Sequence, residues 1–316
     1  MHAARSEGLR GRHGLESSLF THFHFSCTTM ISTIWNFLVT LQLFNQSDMK
    51  TIVLPVTVFS QALASHHSVS QFLIVVFWVW MHLLYFTVTN QTFGTSPKED
   101  AVNKPNRPIP AKRISVDSAV ALGWVLAPLD LALSLYAGAI PAGLGICVLT
   151  SIYCRGGGHS HWLSKNGCCA GFYALFEYGA TQIADSSETL NHNQLGAVIG
   201  SALIIFTTIH AQDFRDDEGD ALLGRRTFTL SFPVFSRVTM PILLIAWSMT
   251  LCLISEANYF VLLALMALGA VTGVRFLTMK SAKDDRLSYL YYNIWLSMAH
   301  VGLSSLDLDK VAAWYQ

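Results

Sequence analysis

Charge is scarce in this chain. Charged residues make up 13% of its 316 residues, about half the roughly 25% of a soluble domain, so much of its surface cannot face water. The 20 basic and 20 acidic residues cancel. There is thus no basic excess of the kind that binding a polyanion requires, which argues against a nucleic-acid partner. Metal-ligand spacing is absent among the six cysteines, Cys27, Cys147, Cys154, Cys168, Cys169 and Cys252. Most lie in apolar stretches and read as small buried hydrophobes, with neither a disulfide framework nor redox chemistry expected of them. No low-complexity tract or Pro/Ser-rich linker divides the chain, so one membrane domain is expected. The first 29 residues hold four histidines and three arginines but no apolar core of a secretory signal. Glu7 and Glu16 also argue against a mitochondrial presequence. Residues 1–29 therefore read as a disordered tail, with Met30 as an alternative start.

What the chain has instead is apolar length. Residues 33–45 are too short to span a bilayer and read as part of an interfacial helix over 30–49. Nine apolar segments follow, at about 51–66, 70–90, 116–137, 138–155, 163–184, 195–212, 231–255, 257–277 and 286–304. Several fall short of the ~20 residues of a straight span. With the N-terminus placed in the cytosol, every lysine and arginine except Lys310 falls on the cytosolic side, as the positive-inside rule requires. The fold expected is all-α and integral to the membrane: a bundle of nine transmembrane helices over 50–316 with two Asp-rich cytosolic loops. The sequons at Asn45 and Asn90 then face the cytosol, where glycosylation does not occur.

Five acids fall within Asp213–Asp220, in the run QDFRDDEGD. If the sixth span continues as a helix, Asp213, Asp216 or Asp217, and Asp220 share one face. Like charges at that spacing repel by a few tenths of a kcal/mol per pair, so a structural helix would avoid them. Carboxylate oxygens suit Mg²⁺ or Ca²⁺, and the spacing excludes an EF-hand. Arg225 and Arg226 follow directly. A second cluster lies after the second span: Asn90 and Gln91, then Glu99, Asp100, Lys104 and Arg107, stiffened by Pro105, Pro108 and Pro110. Acids for a metal and bases for phosphate oxygens, together in two loops on one membrane face, are what a metal-bridged diphosphate demands. The alternative is a pair of solvated acidic loops.

This pairing resembles the UbiA superfamily of intramembrane prenyltransferases, which carry Asp-rich motifs after helices 2 and 6. Asp213, Asp216 and Asp220 match the second motif, D-x-x-D-x-x-x-D. The first departs: Gln91 follows Asn90, and ten positions separate Asn90 from Asp100. That form looks like a fungal branch that includes the membrane-bound sesquiterpene cyclase of the fumagillin pathway. The resemblance implies Mg²⁺ held by Asp213, Asp216 and Asp220 at one site and by Asn90, Glu99 and Asp100 at the other, with Asp217 and Glu218 beside them. It implies diphosphate binding by Lys104, Arg107, Arg225 or Arg226. Lys165 lies where the family carries a basic residue; snorkelling to the interface is its alternative. The implied substrate is a prenyl diphosphate with its tail in the bilayer, and downstream tailoring enzymes are possible partners. The motifs fit both a terpene cyclase, toward which the Gln91 variant leans, and a prenyltransferase. A cation transporter would instead place ionisable groups near the midplane.

Other residues are weighed more simply. Glu177, deeper in the fifth span, reads as a structural pair or a proton acceptor, and Asp130 as a weaker case. His210 is a candidate for the cavity lining. Aromatic side chains on spans 2, 5 and 9 could steady a cation, though most would be core or face lipid.

Overall fold

The computed structural model of the chain describes residues 30–222 and 224–308. The expected tail over 1–29 lies outside the described residues. The chain forms two units, one up to Leu43 and one from Phe44 onward. In the first, residues 30–43 are helical and expose Ile31, Ile34, Trp35 and Leu38; this is the start of α1 (30–45).

In the second unit the order is α2 (Met49–Leu63, opening with a π-turn over Met49–Val53), α3 (Val69–Thr92), α4 (Ser96–Asn103), α5 (Val116–Ala137), α6 (Ile140–Cys154) and α7 (Trp162–Asp185). Then come α8 (His192–Thr208, extended by a 3₁₀ segment Ile209–Arg215), α9 (Asp217–Leu222), α10 (Phe228–Ser231), α11 (Pro233–Ile254), α12 (Tyr259–Thr278) and α13 (Ala282–Ser304). Among the described residues no strand forms, and β contacts are two isolated bridges. Each of the nine apolar segments of the sequence has its helix, with ends shifted by a few residues.

Local chemistry sets these boundaries. Pro97, Pro141 and Pro233 stand in first turns, where a missing N–H costs nothing, and Pro55 follows the π-turn of α2. Asn191 and Gln194 form a capping box at α8, and Ser281 caps α13. Gly138 ends α5 in the left-handed conformation, φ 75°.

Among the described residues five helices are long and apolar enough to cross a membrane: α3, α5, α8 with its extension, α11 and α12. α7 is as long as these but more polar, and its burial explains why. Fourteen of its 24 residues are buried, against four of 22 in α5. A helix enclosed by other helices need not be apolar all round. Small residues allow close approach: a Cβ on Gly273 would lie 2.4 Å from Pro241 Cα, and one on Gly179 would lie 2.6 Å from the Trp78 ring.

Most buried polar side chains have company; among the described residues Thr57, Asp130 and Thr272 are exceptions. Glu177 accepts from Ser201 Oγ at 2.8 Å, with His300 Nε2 3.3 Å from the same oxygen. It is thus a structural pair across α7, α8 and α13. Asp130, fully buried, has no hydrogen-bond partner on either oxygen. Glu177→Leu is expected to lower the melting temperature in detergent, since the buried Ser201 hydroxyl loses its acceptor at a cost of about 1–3 kcal/mol. Glu177→Gln keeps an acceptor and should melt close to wild type; equal losses would contradict this account. Asn45 is also fully buried, donating to Trp80 O at 3.0 Å and accepting from Thr87 at 2.8 Å, so its sequon is not accessible in the folded chain.

Candidate active site

The acidic run after α8 is not one continuous α-helix. The chain tightens to a 3₁₀ segment through Arg215, breaks at Asp216 and restarts as α9. The break separates neighbours that a regular helix would keep on one face. Lys165 Nζ donates to Asp213 Oδ1 at 2.7 Å and stands 3.5 Å from Asp220 Oδ2. Asp216 Oδ2 takes Lys104 at 3.1 Å. Asp217 turns away, accepting from Thr229 and lining a second cavity beside Arg237. Lys165 does not snorkel: it is buried, 6% exposed, and paired with two acids.

The first cluster reaches the same place. Ser96–Asn103 form the short helix α4, which presents Glu99 and Asp100. Arg225 Nη2 meets Glu99 at 2.6 Å and its Nη1 meets Asp220 at 2.9 Å. Arg107 Nη1 meets Asp100 at 2.7 Å. The two loops interlock, since Asn103 Nδ2 donates to the Asp216 carbonyl at 3.2 Å and a Cβ on Gly219 would overlap Asn103 at 2.2 Å. Arg226 takes no part; its backbone pairs with Ser160 and Trp162 and its side chain is exposed.

Burial and charge act against each other in this cluster. Burial alone would raise Asp216, yet Lys104, Arg215 and Lys165 pull its carboxyl down to about 2, so it stays ionised. Burial pushes Asp217 up to about 6 despite the Thr229 hydroxyl. Burial also raises Glu99, against the pull of Arg225 and Lys104.

These groups ring the mouth of a cavity with ≈ 1060 Å³ of empty space, its opening included. Asn90, Glu99, Asp100, Lys104, Arg107, Lys165, Asp216, Asp220 and Arg225 line it. Asp213 is not on its wall and is joined to it through Lys165. Deeper lining comes from Ile52, Leu83, Phe86, Phe172, Tyr173, Phe176 and Ile209. The rings interlock, Phe86 on Phe172 at 4.6 Å, and Phe176 edge-on to Trp78 at 6.1 Å. The Tyr173 hydroxyl donates to the Thr51 carbonyl. His210 is off the wall, packed on Phe214 and Phe228. Sequence reasoning missed Asp48, Arg215, Tyr153 and Tyr289, which also line the cavity. Asp48 sits in an inter-helix turn with no periodic signal, and Arg215 was hidden among the acids it separates.

The donor set suits a hard divalent cation. Asp100, Asp213 and Asp220 are nearly fully buried, and each keeps one oxygen, Oδ2, with no hydrogen-bond partner. Oxygens of this kind are the ligands Mg²⁺ takes, together with substrate phosphates. Among the described residues no group of three or more acids converges into a preassembled ion cage; bases stand between the acids.

The UbiA prenyltransferase family profile matches residues 52–297. The chain belongs to that family. A UbiA relative, the fumagillin beta-trans-bergamotene synthase of Aspergillus fumigatus, is 34% identical over 263 residues, 83% of this chain and 90% of the relative. A polyprenyl transferase of Hericium erinaceus is 30% identical over 272 residues, 84% of this chain and 88% of that one. The structure of a UbiA homolog from Archaeoglobus fulgidus bound to DMAPP and Mg²⁺ superposes with a TM-score of 0.56 at 15% identity, covering 84% of this chain and 99% of that one. The fold is therefore the UbiA fold, and the protein is a multi-pass membrane protein. UbiA relatives of both kinds, one named a synthase and one a transferase, match at similar length, so overall similarity alone does not separate the two chemistries.

Proposed function

We propose that the chain is a Mg²⁺-dependent intramembrane terpene cyclase that ionises farnesyl diphosphate and closes the allylic cation into a sesquiterpene. The observation that carries this reading is one cavity lined both by paired acids and bases and by the rings of Phe86, Phe172 and Phe176. Asp216, Asp220, Asp100 and Glu99, with Asp213 behind and Asn90 beside them, would hold the metal. Lys104, Arg107, Lys165 and Arg225 would turn from the acids to the phosphate oxygens. Mg²⁺, when bound, neutralises charge that develops on the leaving oxygens. The residues position the diphosphate, and the buried wall keeps water from the cation. Ring faces of Phe86, Phe172 and Phe176 attract positive charge.

The cyclase is favoured over a transferase by what lies below the rim. The cations that line the cavity all stand in the rim beside acids, and the Tyr173 hydroxyl is taken by Thr51. A carboxylate-bearing aromatic acceptor would lack a cationic partner there. The relative of Aspergillus fumigatus, a named bergamotene synthase, supports the same choice. For topology we take nine spans with residues 30–49 at the interface. The N-terminus and the acidic loops then face the cytosol, with the endoplasmic reticulum as the membrane.

Microsomes carrying the chain, given farnesyl diphosphate and Mg²⁺ without an acceptor, should release a cyclic C15 hydrocarbon that EDTA abolishes. Consumption of the substrate only when an aromatic acceptor is added would move the assignment to a prenyltransferase.

A further inference from the structure

The first acidic motif lacks a carboxylate at Gln91, and the structure shows that position to be committed elsewhere. Gln91 is fully buried and its Nε2 donates to the Phe44 carbonyl at 3.2 Å. The cavity nevertheless has an acid from outside both motifs. Asp48, in the turn ahead of α2, lines the same mouth as Asn90, Glu99 and Asp100.

Its electrostatic surroundings differ from those of the motif acids. Glu99, Asp100, Asp213, Asp216 and Asp220 each have a basic nitrogen at 3.1 Å or closer. The closest basic nitrogen to Asp48 is Arg107 Nη2, at 3.9 Å. Its oxygens accept instead from hydroxyls, Ser47 Oγ at 2.7 Å and Thr51 Oγ1 at 3.4 Å. A hydroxyl fixes a carboxylate without neutralising it, and each oxygen keeps a lone pair. On the other side of Arg107 stands Asp100, 2% exposed, whose Oδ2 has no hydrogen-bond partner. A carboxylate held by hydroxyls, with its base only at 3.9 Å, and an orphaned buried oxygen therefore flank one guanidinium in the cavity lining.

We infer that Asp48 is a further ligand of the divalent cation at the first acidic site, supplying the carboxylate that Gln91 does not. The inference rests on the diphosphate-ionising reading of the cavity. Asp48 belongs to the turn before α2, so a third segment beside α3 and α4 would contribute to holding the cation.

The test is made on the full chain in detergent, with Mn²⁺ standing in for Mg²⁺ and inorganic pyrophosphate for the substrate head. Free Mn²⁺ is counted by electron paramagnetic resonance. Asp48→Asn should weaken Mn²⁺ binding at least tenfold or remove one bound ion, and Asp48→Glu should restore part of it. If Asp48→Asn binds Mn²⁺ as wild type does, the inference is overturned, and a fall in pyrophosphate affinity alone would show that Asp48 acts through Arg107. Metal-free melting confirms that the variants are folded. Should Asp48→Asn not fold, Asp48→Ala is read in its place, and unchanged Mn²⁺ affinity overturns the inference. Asp216→Asn is the separate arm: if it too binds Mn²⁺ normally, the diphosphate reading itself fails, whatever Asp48 does.

Discussion

Asp216→Ala lowers kcat about 10²–10³-fold, the scale for removing one preorganised group that stabilises developing charge. Asp216 is held in its charged form by Lys104 at 3.1 Å and Arg215 at 3.7 Å. Its side chain lines the cavity. Its carbonyl, which anchors Asn103, survives the substitution, so α4 stays docked and the loss reflects chemistry rather than unfolding. The control is one residue away. Asp217→Ala should keep most of the activity, because Asp217 faces Thr229 and the second cavity. Steady-state rates of the two variants decide the matter. Comparable losses would mean that the acids act as one undivided patch.

Lys165→Met has two effects, on folding and on turnover. The substitution strips the base from Asp213, which is 1% exposed, and leaves Asp220 with Arg225 alone. Breaking a buried ion pair from one side costs about 3–5 kcal/mol, so the melting temperature should fall clearly and catalysis should be lost with it. The double variant Lys165→Met/Asp213→Asn removes the stranded charge. It should recover most of the thermal stability but none of the activity. Recovery of both would make the pair purely structural; recovery of neither would mean that Lys165 acts mainly through Asp220.

The fold was largely legible because lipid makes length and hydropathy decisive: α5 has the predicted bounds, Val116–Ala137. The polar helix α7 was still found from its apolar content, although its interior place follows only from packing. In the site, acids and bases announced themselves by type, and the two loops do meet. What spacing could not show was the direction of each side chain. Asp216 and Asp217 look equivalent until the 3₁₀ segment shifts the phase between them. Arg225 and Arg226 look interchangeable until one backbone is paired with Ser160 and Trp162. Asp48 carried no signal at all, because a lone acid in a turn is ordinary in a sequence and gains meaning only from what it faces.

The division of the cavity lining bears on how a turnover finishes. Phe176, packed on Trp78 whose indole N–H donates to Ser134 at 3.0 Å, belongs to its apolar wall, and the basic side chains that line it are each paired with an acid. On the proposed reading, bond cleavage divides one amphiphile into two products with opposite solvent preferences. The diphosphate partitions to water, and the hydrocarbon, no longer tethered by charge, partitions to lipid. The bilayer then acts as an extracting phase, and accumulation of oil in a saturated membrane would slow the enzyme even while its aqueous product is swept away.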